Sequence, residues 1–444
     1  MAAQHVVGII GGAVAGSEAA ALVAERGALA VVIEQNLRPY GKIEDGLPRW
    51  HSALRDKEYG RIDENLGRDN VLFVPGTAVG RDVGWDELTA ELGLNAIILA
   101  NGAWRDRHIT SVEGIDRFEG KGLVYQNQFV YWFNHYHEAG YDGPRFEVSD
   151  GAVVIGGGLA SIDVVKIINL ELYARALRER GVEIDVVELE HKGIAETLEE
   201  NGIAQGDLGL KGVTLFYRRR AEDMPLATTD DPKPTPEQRA KLEKVRLKIL
   251  DKVLRKYLVN FEGQTVATGY HEENGRLVGL EFHRTALEGR DVTIVPGSAF
   301  TVHTDLVVSS IGSIPEPIPG VAMRGELYGF ASWDTGELDR SRGVFGLGNV
   351  LTGKGNIKDS RKNARDITGR ILDHELGLSG AGATSEAVHA EARGEAEAVV
   401  AEALARPALD EAAVERVRAW VRRRWEAVGY GGDYAAWMDR HRPG

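Results

Sequence analysis

The chain has 444 residues, roughly three times the ~150 expected of one domain, so two or three domains are expected, each large enough for its own core. It carries 54 glycines, about 12% of its residues, and no cysteine; the zero excludes disulfides, cysteine-ligated zinc or iron–sulfur clusters and redox thiol pairs. A formal net charge of −14 argues against nucleic-acid binding over the whole surface, though not against a local basic patch.

Met1-Ala2-Ala3-Gln4-His5 has no basic targeting region, and the apolar run Val6–Ile10 is far too short to span a bilayer. A soluble, cytoplasmic protein without membrane attachment is the expectation. Val6–Ile10 is predicted as a buried strand, Ser17–Arg26 as a helix and Ala30–Glu34 as a second strand. Together they form a βαβ unit, which implies a parallel sheet. The loop between them, Gly11-Gly12-Ala13-Val14-Ala15-Gly16, has G-x-A-x-x-G form. Gly11 permits the tight turn, Gly16 lets helix and strand pack closely, and the helix start offers free N–H groups to a pyrophosphate. Ala13 puts a methyl where the backbone approaches the phosphates. Glu34, 23 residues after Gly11 at the strand end, is placed to accept hydrogen bonds from a ribose diol.

A second unit begins at Ala152–Ile155, turns at Gly156-Gly157-Gly158-Leu159-Ala160-Ser161 (G-x-G-x-x-S) and enters a helix over Ser161–Asn169. An insertion with helix-prone stretches separates it from the strand Val213–Tyr217, which ends in Arg218-Arg219-Arg220. Guanidinium groups there bind a 2′-phosphate where an acid would repel it. The strand ends thus differ in sign, and the contrast assigns FAD to the first loop and NADPH to the second. A capping box, Thr235-Pro236-Glu237-Gln238, opens a further helix. Its apolar face holds Leu242, Val245, Ile249, Val253 and Tyr257; its other face is the basic stripe Lys241, Lys244, Lys248, Lys252 and Arg255. After about Gly380 the chain turns alanine- and charge-rich, with helices expected near 385–405, 410–427 and 433–439. Trp420, Trp425 and Trp437 are expected to pack this tail onto the body or onto a second copy in a homodimer.

With these blocks in order, the chain resembles the ferredoxin–NADP reductases of adrenodoxin-reductase type, among the glutathione-reductase-like flavoproteins. The resemblance covers roughly residues 4–375. Besides the loops it rests on Tyr40–His51, similar to the family segment beside the isoalloxazine; on Ala100-Asn101-Gly102-Ala103, which closes over FAD; and on Phe129–Asn134, the linker into the NADP domain. The last block is Gly346-Leu347-Gly348-Asn349 with Thr352–Ile357, a turn and helix start that meet the flavin. It implies Gly41, Lys42, Leu47, Gly102, Gly348, Asn349, Gly355, Asn356 and Ile357 as further FAD-binding residues, and His51 as the residue that orients flavin and nicotinamide. Glu44 stands where the family commonly has arginine, and Asn349 where it has tryptophan.

The implied fold is α/β: two three-layer Rossmann-like domains, with an NADPH domain (116–319) inserted in a discontinuous FAD domain (1–115 and 320–380), and a helical extension over 381–444. The implied function is hydride transfer from NADPH to FAD, with electrons passed to a ferredoxin-like protein. The alternative is two-electron reduction of a small organic substrate, a quinone or a biosynthetic intermediate. Without cysteine, no dithiol or cluster within the chain receives the electrons, which argues against a glutamate-synthase small subunit. The basic stripe Lys241–Arg255 is a candidate docking face for an acidic redox protein, or simply the solvated side of its helix.

Overall fold

A computed structural model describes residues 4–229, 233–289, 291–333, 335–351 and 385–442. Val6–Ile10 and Leu29–Ile33 are buried along their whole length, as continuous apolar runs must be when both faces of a parallel sheet are covered. They lie at the middle of a six-stranded sheet, in the order 337–339, 344–346, 96–99, 6–10, 29–33, 71–74. All its pairings are parallel except that of the edge strand Glu337–Asp339. A five-stranded, wholly parallel sheet follows the order 123–125, 307–310, 153–156, 214–217, 260–263. The chain enters this second sheet after Ala96–Leu99 and returns to pair Val344–Gly346 beside that same strand. Both crossings pass through one short ribbon, where Arg105–Asp106 pairs antiparallel with Ser313–Ile314.

Several elements differ in extent from the sequence reading. The first helix spans Val14–Glu25 rather than starting at Ser17, because Ser17 N already donates to Ala13 O (2.8 Å). Its following strand ends at Ile33, so Glu34 lies just beyond it. The helix after the second loop runs Leu159–Arg178, well past Asn169; Leu170, Leu172, Tyr173 and Leu177 continue its buried face. Phe129–Asn134 belongs to a helix, Gln126–His135, that is largely buried in the second domain. A four-stranded antiparallel sheet over Thr265–His303 was not anticipated at all.

The capping box forms as read: Thr235 Oγ1 accepts from Gln238 N and the Gln238 side chain accepts from Thr235 N, opening Pro236–Lys256. That helix buries Ile249 and Val253, with Tyr257 just beyond its end, while Leu242 and Val245 are half-buried. The tail forms helices Ser385–Leu404, Glu411–Val428 and Tyr434–His441. Its tryptophans are hydrogen-bonded to the first domain: Trp420 Nε1 donates to Glu87 (2.6 Å), Trp425 Nε1 to Phe73 O (2.7 Å) and Trp437 Nε1 to Leu37 O (2.8 Å). His389 is buried between Glu18 (2.7 Å) and Glu58 (2.8 Å), a clamp between tail and first domain. Among the described residues no helix is long and apolar enough to cross a membrane.

Candidate functional site

Both glycine loops open onto one cavity of about 780 Å³, a size suited to organic cofactors rather than to a lone ion. At the first loop, Gly11 has φ +97°, and a Cβ there would lie 2.6 Å from Ala100 O. A Cβ on Gly16 would lie 1.9 Å from Gly11 O. These two positions admit only glycine. Ala13 has φ −69° and ψ −162°, ordinary extended backbone, so its methyl is tolerated and faces the cavity with Val14 and Ala15. The first N–H groups of the helix that starts here have no intrahelical acceptors and are free for an anion.

Glu34 is buried at the cavity edge, where its oxygens accept from Gly12 N (2.9 Å) and Asn36 N (3.0 Å). Each oxygen retains a second lone pair for a ribose hydroxyl. Burial pushes the carboxyl up to about 7, against these hydrogen bonds. Gly12 and Gly16 do not line the cavity; they shape the loop that does.

The next wall comes from Gly41, Lys42, Leu47, His51, Gly102 and Trp104. Gly41 has φ +52° and stands against the Ala13 methyl. His51 closes a one-turn helix, Arg49–His51, and is buried. Its neighbour Trp50 fixes it there, being embedded in the second domain's core with Phe133 (ring centroids 5.2 Å apart) and Lys166 Nζ (4.5 Å). Gly348 and Asn349 also line the cavity, and a Cβ on Gly348 would lie 2.8 Å from that of Ala15; the turn is thus pressed onto the first helix start. Gly355, Asn356 and Ile357 lie outside the described residues.

Lys42 Nζ donates to Asn127 Oδ1 and Ser313 Oγ (3.1 Å each) and lies 5.6 Å from the Trp104 ring centre. Burial pulls its ammonium down to about 8, partly offset by Asp106. Asp106, which accepts from Asn127 N (3.1 Å), is itself pushed up to about 6 by burial.

At the second loop, Gly158, Leu159 and Ala160 line the cavity. Gly156 and Gly157 do not: a Cβ on them would meet Ser310 O at 2.5 Å and the Tyr217 ring at 2.2 Å. Ser161 is fully buried and its Oγ donates to Gly158 O (2.6 Å), so it braces the loop. Arg218 and Arg219 sit past the strand end and outside the cavity lining. Arg218 is exposed with no ion-pair partner among the described residues, whereas Arg220 is held by Asp223 (2.9 Å).

The sequence reading missed several wall residues: Arg81, Trp104, Gln126 and Asp163, and Glu391 and Glu395 from the tail. They carry no motif, and only folding brings them together. Asn101, read as part of a block, also lines the cavity, and its buried Oδ1 has no hydrogen-bond partner among the described residues. An open acceptor, a glycine-only turn, free helix N–H groups and a buried acid together fit a dinucleotide with a free ribose diol at the first loop.

No family model matches the chain. It is 22% identical over 333 residues to an Arabidopsis thaliana protein named NADPH:adrenodoxin oxidoreductase, mitochondrial, covering 68% of this chain and 65% of the relative. It is 24% identical over 410 residues to the glutamate synthase [NADPH] small chain of Azospirillum brasilense, covering 89% and 68%. The chain thus spans about two thirds of the length of these relatives. Among solved structures it matches Mycobacterium tuberculosis FprA in complex with NADPH, with TM-score 0.57, 20% identity and 90% of both chains covered. In sequence the chain resembles the adrenodoxin oxidoreductase relative, and in fold it resembles FprA, with two Rossmann-like domains.

Proposed function

We propose that the chain is an FAD-dependent oxidoreductase that takes a hydride from NADPH and passes electrons to a ferredoxin-like protein. The observation that carries this reading is one cavity faced by two glycine loops whose strand ends differ in sign, Glu34 at one and Arg218-Arg219 at the other. When bound, FAD supplies the chemistry of accepting a hydride and releasing electrons singly.

The chain's own residues bind and orient. Gly11, Gly12, Ala13, Gly16 and Glu34 hold the adenosine diphosphate part of FAD; Gly41, Lys42, Leu47, Gly102, Gly348 and Asn349 hold its ring side, joined by Gly355, Asn356 and Ile357. Residues 156–161 receive the NADPH pyrophosphate, and Arg218 and Arg219 its 2′-phosphate. His51, fixed by the anchored Trp50, orients flavin and nicotinamide; hydride transfer needs no protein proton donor. In this reading residues 1–115 and 320–380 form the FAD domain, 116–319 the NADPH domain and 381–444 the extension, in a cytoplasmic protein. The relatives' names, NADPH:adrenodoxin oxidoreductase above all, support a ferredoxin-like acceptor.

The exposed Lys241, Lys244 and Lys248, with the half-buried Lys252, form the docking face for that acidic partner. A second reading, two-electron reduction of a small organic substrate, is favoured by one feature: Glu391 and Glu395 bring the tail into the cavity wall, narrowing access for a protein.

The purified protein should be yellow and be bleached anaerobically by NADPH within seconds. A colourless protein, or bleaching by NADH alone, refutes the cofactor assignment. Exchanging Lys244, Lys248 and Lys252 for glutamine should slow ferredoxin reduction while sparing ferricyanide reduction; equal ferredoxin rates for variant and parent would sink the docking face.

A further inference from the structure

Lys42 has a setting that cofactor binding alone does not explain. It comes from the loop after the first βαβ unit, yet both of its hydrogen bonds go beyond that unit. Asn127 lies in the first turn of the helix that follows strand Leu123–Tyr125 of the second sheet, and Ser313 lies on the returning strand of the ribbon between the sheets. Asn127 completes the node: its Nδ2 donates to Trp104 O (2.6 Å) and Ser313 Oγ (3.1 Å), and its N–H to Asp106. The ammonium is therefore pinned from two chain segments, one of them braced by a third through Asn127, and it lines the cavity that both glycine loops share. Asp106 offsets part of the cost of burying this ammonium, and the two form no salt bridge. The same cavity is also lined by the titratable His51 and Asp163.

A cation placed there for structure alone is costly. Burial disfavours its charged form, and two neutral acceptors replace its water incompletely. Such a cost is usually met where charge is needed for function. Hydride transfer, one proton with two electrons, would leave NADP⁺ behind and place one net negative charge on FAD bound in this cavity. A fixed cation in a poorly hydrated cavity stabilises that charge more than it would in water.

We propose that Lys42 is a positioning residue of electrostatic kind, a positive charge fixed on the cavity wall by Asn127 and Ser313 that raises the electron affinity of the bound FAD. The inference rests on the FAD reading above. It also ties electron affinity to the way the second unit meets the first, since Asn127 of that unit and Ser313 of the ribbon hold the ammonium.

The test compares FAD-loaded wild type, Lys42→Met and Lys42→Arg by equilibrium reduction against a reference dye, with FAD affinity and thermal stability measured alongside. Lys42→Met should lower the equilibrium constant for FAD reduction at least about tenfold, or about 30 mV for a two-electron couple, while Lys42→Arg stays within about twofold. A purely structural lysine would move stability or FAD affinity and leave the potential alone. An unchanged potential in Lys42→Met, or an equal fall in Lys42→Arg, overturns the proposal. If Lys42→Met does not fold, the wild type carries the test: its potential should fall more steeply with pH above about 8, where the ammonium begins to deprotonate, and an unchanged slope from neutral to alkaline pH overturns the idea. A wild type that binds no FAD refutes the cofactor reading itself, a distinct outcome.

Discussion

The two glycine loops share a motif but differ in what surrounds them. In the first, the glycines are fixed by backbone: Gly11 against Ala100 O and Gly16 against Gly11 O. Its charged residue, Glu34, is 5% exposed and already bonded to the loop it serves. In the second, Gly156 is likewise fixed by backbone, against Ser310 O, but Gly157 is fixed by a side chain, Gly158 has nothing within 4 Å of where a Cβ would be, and the charged residue Arg218 is in solvent. The loops themselves are buried alike and line the same cavity. The difference lies in their charged residues, buried and already bonded at the first loop and in solvent at the second.

The contrast is broken most severely by Gly16→Ala. The new methyl would lie 1.9 Å from Gly11 O, and backbone cannot step aside, so a loss of about 3 kcal/mol or more is expected. The protein should purify without FAD and melt early; a yellow, stable Gly16→Ala protein would show that the first loop is not the rigid element.

Glu34→Gln tests the burial of that loop's acid through pH. Burial raises the Glu34 carboxyl from 4.5 to about 7 in the folded, FAD-free protein. Between those values the folded state holds a proton that the unfolded state has lost, so wild-type stability falls as pH rises across the window. At about 1.4 kcal/mol per unit the fall amounts to at most about 3.5 kcal/mol. Glutamine does not titrate, so the wild-type stability minus that of Glu34→Gln should decline from about pH 4.5 to 7 and then level off. A flat difference in melting temperature would mean that Glu34 is wet.

The outward side of the second loop is tested by the double change Arg218→Ala with Arg219→Ala. Charge-assisted hydrogen bonds to a 2′-phosphate are worth about 1.5–3 kcal/mol each. With both removed, KM for NADPH should therefore rise about 100-fold or more with that for NADH unchanged. Steady-state assays with both nucleotides read the ratio, and an equal loss for both would place the 2′-phosphate elsewhere.

The parts of the fold that were legible are those whose signals are local. Both βαβ units, the capping box at Thr235 and the three tail helices follow from apolar runs, glycines and caps that act within a few residues. The antiparallel sheet over Thr265–His303 was missed although it carries a hairpin signal: Asn274 and Gly275 have φ +51° and +76°, the left-handed pair that a tight hairpin requires. The alternation around it is interrupted by polar residues such as His271, Glu272 and Glu273, because that end of the sheet faces solvent. The site divides in the same way. Residues on loops with a motif were readable, while Arg81, Gln126, Asp163 and the tail acids reach the cavity only through tertiary packing. Arg218 and Arg219 show the opposite limit, since their residue type was readable but their position outside the cavity lining was not.

The smallest expected effect is the most discriminating. Gly158 has φ −91° and ψ 178°, backbone that any residue adopts, and an added Cβ would enter open space. Nothing in the ligand-free protein requires glycine there, so Gly158→Ala should leave stability within about 0.5 kcal/mol of the parent. If the residue is glycine to let the NADPH pyrophosphate approach the backbone, the methyl meets the ligand alone. The dissociation constant for NADPH should then rise while the melting temperature and FAD content stay put. Isothermal titration of the yellow protein separates the two quantities. Unchanged NADPH affinity would show that the nucleotide does not approach Gly158, and the likeness between the two loops would then be one of form only.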